Sequence, residues 1–369
     1  MRILADLTYI HLSDEYSGVA ISSYRMLPAL HEVAQDIEIL GLVNPADQEM
    51  IRSHFPWMDI VPIRLRSFHK IKNLDAWLNR RTLDKIIADN AVDIFFLPHF
   101  SDRCIWSGVV PNVAVMHDAQ GFKIGPNKAR LLLYKVFIRL HARHIDHVVT
   151  ISESARADIV EHLPRFSDRI SVISQSLPVR EYSYDDVAEG YRPYILSVNT
   201  LLEYKGPLTI IKAFRSIKDD IPHKLLLKGL PTAYSKGVLK PYIAREGLQD
   251  RVLILDKKFT PDQMDALYRG ASLFVSASTM EGFGFTPLEA SLRGIPVLCA
   301  DIPTIRETSL SLLHYYSPAG DDALLAAEIK KLLSSPPDMT EVAGILTEHY
   351  SPRRQALLYS SLFHKVYGQ

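Results

Sequence analysis

Two glutamates, Glu281 and Glu289, lie eight positions apart and enclose a segment rich in glycine and phenylalanine, EGFGFTPLE. An apolar run typical of a strand precedes this segment and a helical pattern follows it, so we predict a strand-to-helix loop. Thr286, Pro287 and Glu289 have the types and spacing of a capping box with proline at the first helical position, and Gly294 is the predicted helix stop. Helix capping is therefore a sufficient structural reason for a glutamate at position 289, whereas the pattern offers no such reason for Glu281.

The same segment predicts the binding of an anionic ligand that also carries hydroxyl groups. Glycines let a backbone approach a ligand closely, and amides at a helix N-terminus favour a phosphate. A carboxylate next to a phosphate site is explained if Glu281 accepts hydrogen bonds from hydroxyl groups. A nucleotide sugar combines phosphates with hydroxyls, so it is the ligand class that this segment indicates.

Short apolar runs, each followed by a longer helical pattern, are the elements that must position these residues. The runs do not alternate between apolar and polar residues, which is typical of strands buried on both faces of parallel sheets in α/β proteins. The predicted strands are 2–7, 37–43, 93–98, 113–118 and 147–152 in the first half, and 194–198, 224–229, 251–256, 272–278 and 295–301 in the second. The polar stretch 180–193 is the predicted linker between two doubly wound domains. Ligands of such sheets bind beyond the carboxyl ends of the strands.

Length and composition set the class of protein. A chain of 369 residues exceeds one typical core, which agrees with two domains, and its formal net charge of zero gives no reason to expect nucleic acid as a partner. Only Cys104 and Cys299 are present, far apart, as is usual in a reducing compartment. No run of 18 apolar residues occurs, so we predict a cytoplasmic protein.

The segment EGFGFTPLE resembles the E-x7-E signature of the retaining glycosyltransferases of family 4, which have the GT-B fold. YILSVNTLLEYKGPLTIIKAF, at 194–214, is similar to the strand–loop–lysine–helix element of that family, and residues 251–278 are similar to its base-binding strand and following helix. VAVMHD and DHVVTISESARADI resemble landmarks of its first domain. The resemblance extends over about residues 1 to 350.

The fold that the resemblance implies consists of two Rossmann-like domains facing a cleft. Residues 1–182 would form the acceptor-side domain, and residues 193–350 would form the domain that binds the nucleotide sugar. A final helix, 352–369, would pack back onto the first domain. Closure of the cleft over the donor would follow from hinge motion between the domains.

The resemblance also implies roles for individual residues. Lys205 would stabilise the departing diphosphate, which is the step where electrostatic stabilisation contributes most, and Glu281 and His117 would lie near the donor sugar. Glu289 would accept hydrogen bonds from the nucleotide ribose. The full set of donor-binding residues implied in this way is Gly18, Asn199, Thr200, Lys228, Gly229, Lys258, Phe259, Gly282, Phe283, Gly284, Phe285, Leu288 and Glu289.

The chain departs from the family pattern at several positions. Relatives often carry an arginine where this chain has Thr200 or Tyr204, and Arg25 and Lys228 are the candidates to compensate. Gln175 stands where relatives often carry asparagine. No Asp-x-Asp occurs, and metal-dependent transferases of the other common fold use such carboxylates to hold a divalent ion. We therefore predict that neither a metal nor another cofactor is required, with the nucleotide sugar as co-substrate.

Two basic stretches in the first half bear on the acceptor. Residues 64–85 contain seven Lys or Arg against two Asp, and residues 123–143 contain six against none, with apolar residues at helical spacing. Such a helix either rests on anionic lipid, as a lipid-linked acceptor would require, or packs on the core with a solvated basic face. The first alternative places the protein peripherally on the inner face of the membrane.

The function predicted from these observations is the transfer of a hexose from a nucleoside-diphosphate sugar to a glycan or lipid-linked acceptor hydroxyl. The resemblance suggests mannose or rhamnose and a role in bacterial surface polysaccharide or glycolipid assembly. Two alternatives stay open, a sugar-nucleotide epimerase of the same fold and a non-catalytic nucleotide-sugar-binding relative. A nicotinamide dehydrogenase is disfavoured because no G-x-G-x-x-G follows the first strand of either half.

Overall fold

The computed structural model describes residues 1–11, 18–66, 74–123, 128–177 and 189–368. The chain divides into two compact units, one formed by Met1–Ser176 with Tyr350–Gln369 and the other by Leu177–His349. Most of the predicted linker, at 180–188, lies outside the described residues.

The first unit contains a parallel sheet with the strand order β3-β2-β1-β4-β5-β6-β7 in its described part. The strands are β1 Arg2–Asp6, β2 Glu38–Val43, β3 Asp59–Pro62, β4 Ile94–Leu97, β5 Asn112–Val115, β6 His147–Thr150 and β7 Ile170–Val172. The helices that connect them are α1 Gly18–Val33, α2 Gln48–His54, α3 Asp75–Asp89, α4 Gln120–Lys123, α5 Lys128–Ala142 and α6 Glu153–His162. Side chains of successive residues alternate between two buried clusters, Ile3 and Ala5 in one and Leu4 in the other.

The second unit repeats this architecture with the strand order β10-β9-β8-β11-β12-β13. Its strands are β8 Tyr194–Val198, β9 Lys224–Lys228, β10 Val252–Leu255, β11 Leu273–Ser276, β12 Val297–Ala300 and β13 His314–Tyr316. Its helices are α7 Pro207–Ile217, α8 Lys240–Arg245, α9 Pro261–Arg269, α10 Phe285–Ser291, α11 Pro303–Thr308, α12 Asp322–Ser334 and α13 Thr340–His349. All strand pairs described in both sheets are parallel, so the prediction of two doubly wound α/β sheets is confirmed.

A last helix, α14 Pro352–Tyr367, belongs to the first unit. Ser351 caps it by accepting a hydrogen bond from the Arg354 amide. Tyr359 and Phe363 lie at ring-centroid distances of 5.8 and 5.1 Å from Phe96 of β4. The helix therefore contributes aromatic side chains to the core of the first unit, which also contains the first strand, β1.

Three strands are missing from the predicted set of apolar runs: β3, β7 and β13. All three lie at a sheet edge and their side chains are mostly half-buried or exposed, so none of them produces the apolar run that identifies a central strand. Among the described residues, no helix combines the length and the apolarity needed to cross a bilayer.

Candidate active site

The loop after β8 places Lys205 at the carboxyl end of the second sheet. A short 3-10 turn, Glu203–Lys205, ends at Gly206, and α7 begins at Pro207. Gly206 has a φ of 68°, a conformation that favours glycine, and a Cβ added there would overlap the carbonyl oxygen of Ala277. The Lys205 turn is therefore packed directly against the segment that follows β11.

That segment carries Glu281, and the two charged side chains meet. Lys205 Nζ donates to Glu281 Oε2 at 2.7 Å, and the side chains are only 14% and 12% exposed. The backbone amide and the hydroxyl of Thr279 both donate to the carbonyl of Tyr204, at 2.9 and 3.2 Å, which ties the two loops together. The arrangement holds one cation and one hydrogen-bond acceptor side by side at the edge of the sheet where ligands of such folds bind.

The predicted capping box of α10 is wrong. The helix begins at Phe285, its N-cap is Gly284, and no side chain caps it. Gly284 adopts a φ of 84°, and a Cβ there would overlap the Ile305 side chain of α11. This left-handed turn brings the chain into the helix early, so that Thr286 lies inside the first turn and cannot act as the cap.

The helix stop at Gly294 is confirmed. Gly294 has a φ of 74° and its amide donates to the carbonyl of Ser291 at 3.0 Å, while the amide of Ile295 donates to the carbonyl of Ala290 at 3.2 Å. These two bonds are the pair that defines a Schellman motif. They end α10 before β12 begins.

The side chain of Glu289 contacts α9, whereas the predicted capping box would have directed it to the Thr286 amide at the start of its own helix. The hydroxyl of Tyr268, on α9, donates to Glu289 Oε2 at 2.9 Å, and Arg293 Nη1 donates to the Glu289 carbonyl at 2.7 Å. Arg293 Nε in turn donates to Asp265 Oδ1 at 2.6 Å. No sequence motif predicted a role for Tyr268, Arg293 or Asp265, although Asp265 and Tyr268 are three positions apart and so share a face of α9.

Of the two phenylalanines in the segment EGFGFTPLE, one is buried and the other is exposed. Phe283 is buried and Phe285 is exposed, with their ring centroids 4.8 Å apart. Leu288 is also buried, within the first turns of α10. Contact of Leu288 with a ribose, and of the amides of Gly282 and Gly284 with a donor, stay predictions.

The remaining donor-binding residues predicted for the second unit follow β8, β9 and β10. Lys228 ends β9, and its Nζ donates to the carbonyl of Lys257 at 2.7 Å and lies 4.7 Å from the centroid of the Phe259 ring. Burial lowers the pKa of Lys228 from its usual range. A Cβ at Gly229 would overlap the Asn199 carbonyl oxygen, which shows how closely the two strand ends approach. The side chains of Thr200 and Lys258 are exposed.

His117 lies in the first unit, after β5. Gln175 Nε2 is 3.3 Å from His117 Nδ1, and Gln175 Oε1 accepts a hydrogen bond from the Ser22 hydroxyl at 2.6 Å. Because a side-chain amide nitrogen can only donate, Nδ1 accepts and the ring proton lies on Nε2. Nε2 is buried and has no hydrogen-bond partner of normal geometry among the described residues.

Burial is the main cause of the low basicity of His117. It lowers the pKa to about 4, and the neighbouring His99, whose ring centroid is 6.1 Å away, acts in the same direction. The result is a neutral imidazole whose N–H group is buried.

Gly18 is the first residue of α1, and no described atom lies within 4 Å of a Cβ added to it. The loop before it, at 12–17, lies outside the described residues.

The residues of the site include no evident metal centre. In the described ranges, no group of three or more His, Cys, Asp or Glu side chains could hold a metal ion. Lys205 pairs with a single carboxylate, that of Glu281. That the reaction needs no metal stays a prediction.

Two doubly wound parallel-sheet units form the architecture of the GT-B fold, which solved glycosyltransferases share. A glycosyltransferase from Rickettsia africae ESF-5 has the same fold, with a TM-score of 0.72 at 16% identity over 99% of this chain and 98% of that one. Anabaena HepE, solved in complex with UDP and glucose, gives a TM-score of 0.65 at 17% identity over 99% and 98% of the two chains.

The sequence identifies the family within that class. Residues 16–178 match the model of Glycosyltransferase Family 4, and residues 183–344 match the model of Glycosyl transferases group 1. The chain belongs to glycosyltransferase family 4.

Curated relatives match over part of their length. The O-antigen chain mannosyltransferase RfbU of Salmonella typhimurium is 24% identical over 60% of each chain. The GDP-mannose:cellobiosyl-diphosphopolyprenol alpha-mannosyltransferase of Xanthomonas oryzae pv. oryzae is 29% identical over 47% of this chain and 44% of its own. A D-inositol 3-phosphate glycosyltransferase of Corynebacterium glutamicum is 27% identical over 42% and 41%. The matches thus cover less than two thirds of these relatives.

Proposed function

We propose that this protein is a retaining, metal-independent hexosyltransferase that uses a nucleoside-diphosphate sugar. The observation that carries the proposal is the partly buried pair of Lys205 and Glu281 at the carboxyl end of the second sheet. A cation is needed where the diphosphate leaves, and an acceptor of hydrogen bonds is needed where the sugar hydroxyls lie. Lys205 supplies the cation and Glu281 supplies the acceptor, and their Nζ and Oε2 atoms are 2.7 Å apart.

In the proposed reaction, the bond between the anomeric carbon and the diphosphate oxygen breaks, and a bond forms between that carbon and the acceptor oxygen on the same face of the sugar. The electron pair of the broken bond goes to the diphosphate, whose charge Lys205 stabilises. The acceptor hydroxyl transfers its proton to an oxygen of the departing diphosphate. Glu281 accepts hydrogen bonds from the donor sugar.

The relatives support a particular donor and product. Two of them are named as mannosyltransferases, one acting in O-antigen assembly and one using GDP-mannose. We therefore infer mannose as the first hexose to test, with a bacterial surface polysaccharide or glycolipid as the product. The base of the donor is tested directly by comparing GDP- and UDP-sugars.

A panel of nucleotide sugars tests the proposal. Thermal unfolding should shift upward with the true donor, because a ligand at 100 times its dissociation constant stabilises the folded state by about 2.7 kcal/mol. With a glycan acceptor, NMR of the product should show the anomeric configuration of the donor, and EDTA should leave the rate unchanged. Conversion of the donor to its epimer without acceptor would support the epimerase alternative, and binding without turnover or hydrolysis would support the non-catalytic one.

We also propose that α5 rests on an anionic membrane surface. Leu132, Leu133 and Val136 are 63%, 55% and 44% exposed on this helix, which is more apolar surface than a helix with only a solvated basic face would present. Lys135 and Arg139 lie among them and suit anionic headgroups. A lipid-linked acceptor would be available at such a surface.

Co-sedimentation with vesicles of phosphatidylglycerol and phosphatidylcholine tests this surface. Binding by the protein should fall several-fold on L132S/L133S substitution and with increasing salt. L357S/L358S on α14, which removes two exposed leucines elsewhere in the same unit, should leave binding unchanged. Equal loss in both variants, or no binding by the native protein, would overturn the membrane proposal without affecting the transfer reaction.

A further inference from the structure

One carboxylate oxygen of Glu289 is fixed by the protein and the other is not. Tyr268 donates its hydroxyl hydrogen bond to Oε2 at 2.9 Å. Oε1 accepts no hydrogen bond from any residue that the structure describes. The side chain is half-buried, and Oε1 is not one of the fully buried oxygens that lack a partner, so a ligand can reach it. A carboxylate with one oxygen fixed and one open is prepared to accept a hydrogen bond in a defined direction.

Tyr268 can hold the Glu289 carboxylate in place because burial confines the tyrosine side chain. Its side chain is almost fully buried on α9. A buried hydroxyl without a hydrogen-bond partner destabilises the folded state, and the Tyr268 hydroxyl avoids this by donating to Glu289. Burial raises the pKa of Tyr268 well above its usual range, and Glu289 adds to the effect, so the hydroxyl remains a donor.

Arg293 and Asp265 hold both members of this pair. The Arg293 guanidinium carbon lies 5.0 Å from the centroid of the Tyr268 ring, and Nη1 donates to the Glu289 carbonyl at 2.7 Å. Asp265 accepts from Arg293 Nε at 2.6 Å and from Arg269 Nε at 2.7 Å. Asp265 therefore pairs with both arginines, and Arg293 connects it to the ring of Tyr268 and to the backbone of Glu289.

We propose that Tyr268 is a positioning residue for Glu289, held in place by Arg293 and Asp265, and that it presents Glu289 Oε1 to the ribose hydroxyls of the donor. This inference rests on the proposed function and on the role that the family resemblance implies for Glu289, which is to accept hydrogen bonds from the nucleotide ribose. A side chain that is already fixed loses less freedom when the ligand binds, so its hydrogen bond contributes more to affinity. The tyrosine acts only through the carboxylate.

The experiment compares nucleotides with and without ribose hydroxyls. Dissociation constants of GDP and UDP, and of their 2′,3′-dideoxy forms, are measured for the wild-type protein and for Tyr268→Phe. The wild type should bind the ribose form of its nucleotide roughly tenfold more tightly, equivalent to about 1.4 kcal/mol. Tyr268→Phe should lose most of this preference while its affinity for the dideoxy form is unchanged. A general structural defect would weaken both forms alike.

Tyr194→Phe is the matched control. Tyr194 is buried in the same unit, and its hydroxyl donates to the Leu267 carbonyl at 2.7 Å, whereas that of Tyr268 donates to Glu289. Its removal should leave the preference for ribose intact. Arg293→Lys retains a charge beside Asp265 and should lose part of the preference. In a Glu289→Gln background, Tyr268→Phe should have no further effect on the preference, as expected for residues that act as a unit.

The outcomes separate the inference from the function on which it rests. If the wild type binds neither nucleotide, the proposed function and the inference both fail. If it binds but does not distinguish ribose from dideoxyribose, the contact of Glu289 with ribose fails, and the positioning role fails with it. If it distinguishes them and Tyr268→Phe does so by the same factor, the positioning role alone is overturned.

Discussion

Lys205 Nζ lies 2.7 Å from Glu281 Oε2, and the two residues are 76 positions apart in the chain. Each side chain neutralises the other in a partly buried place where an isolated charge would be poorly solvated. A donor diphosphate would compete with Glu281 for the ammonium group, and release of Glu281 would make its carboxylate available to the sugar. In the proposed reaction, the ion pair would therefore couple binding of the diphosphate by Lys205 to release of Glu281 for the sugar.

Replacing either member of this pair should harm activity more than folding. Lys205→Met and Glu281→Gln should lower kcat/KM roughly hundredfold or more, because stabilisation of the transition state is removed. The free energy of unfolding should fall by about 1–3 kcal/mol, since one partner is left unpaired. Steady-state kinetics and denaturant unfolding measure the two effects.

Lys330→Met is the control for that prediction. Lys330 pairs with Asp220 at the same distance, 2.7 Å, but both side chains are about half exposed. An exposed pair contributes only about 0–1 kcal/mol, so this variant should retain both activity and stability. Equal losses at Lys205 and Lys330 would contradict a specific role for the buried pair.

Alanine at Gly206 or Gly284 should destabilise the second unit. Both glycines have left-handed φ values, and a Cβ at either would overlap a neighbouring group. The backbone strain costs about 1–2 kcal/mol and the overlap roughly another 1–3 kcal/mol. Gly247→Ala isolates the strain, because Gly247 has a φ of 63° with nothing within 4 Å of a Cβ. Thermal unfolding should therefore rank Gly247→Ala as the mildest of the three, and an equal shift in all three would show that the close packing is unimportant.

The central part of the fold could be predicted from the sequence and the loop geometry could not. Strands such as β4 and β8 are buried on both faces, so their apolar runs identify them without knowledge of the tertiary structure. The start of α10 depends instead on Gly284 fitting against Ile305, a contact that no local pattern reveals. The pairing of Lys205 with Glu281 depends in the same way on two loops meeting.

The stability of the first unit should depend on pH through His117. Its pKa is about 4 in the folded protein, below the usual value of 6.5. The unfolded chain therefore binds this proton at a higher pH than the folded chain, and stability is lost as pH falls from about 6.5 to about 4, with no further loss below that. His117→Gln removes this contribution, so its free energy of unfolding should fall less than that of the wild type across the same window. Parallel curves for the two proteins would contradict burial of a neutral His117.

Gln175 should determine which nitrogen of His117 carries the proton. Its amide nitrogen lies 3.3 Å from Nδ1 and can only donate, which leaves the proton on Nε2, facing away from Gln175. In Gln175→Glu, a carboxylate would replace the donor, and an acceptor at that position requires a proton on Nδ1. Nitrogen NMR of labelled histidine should show Nδ1 unprotonated at neutral pH in the wild type and protonated in the variant.

Gln355→Glu serves as the control for that measurement, because Gln355 is also buried in the first unit but donates to the Ser174 carbonyl instead. It should leave the His117 signals unchanged. If His117 keeps its proton on Nε2 in Gln175→Glu, another group sets the tautomer. If the proton moves and transfer activity falls with it, Gln175 influences activity through the tautomer of His117.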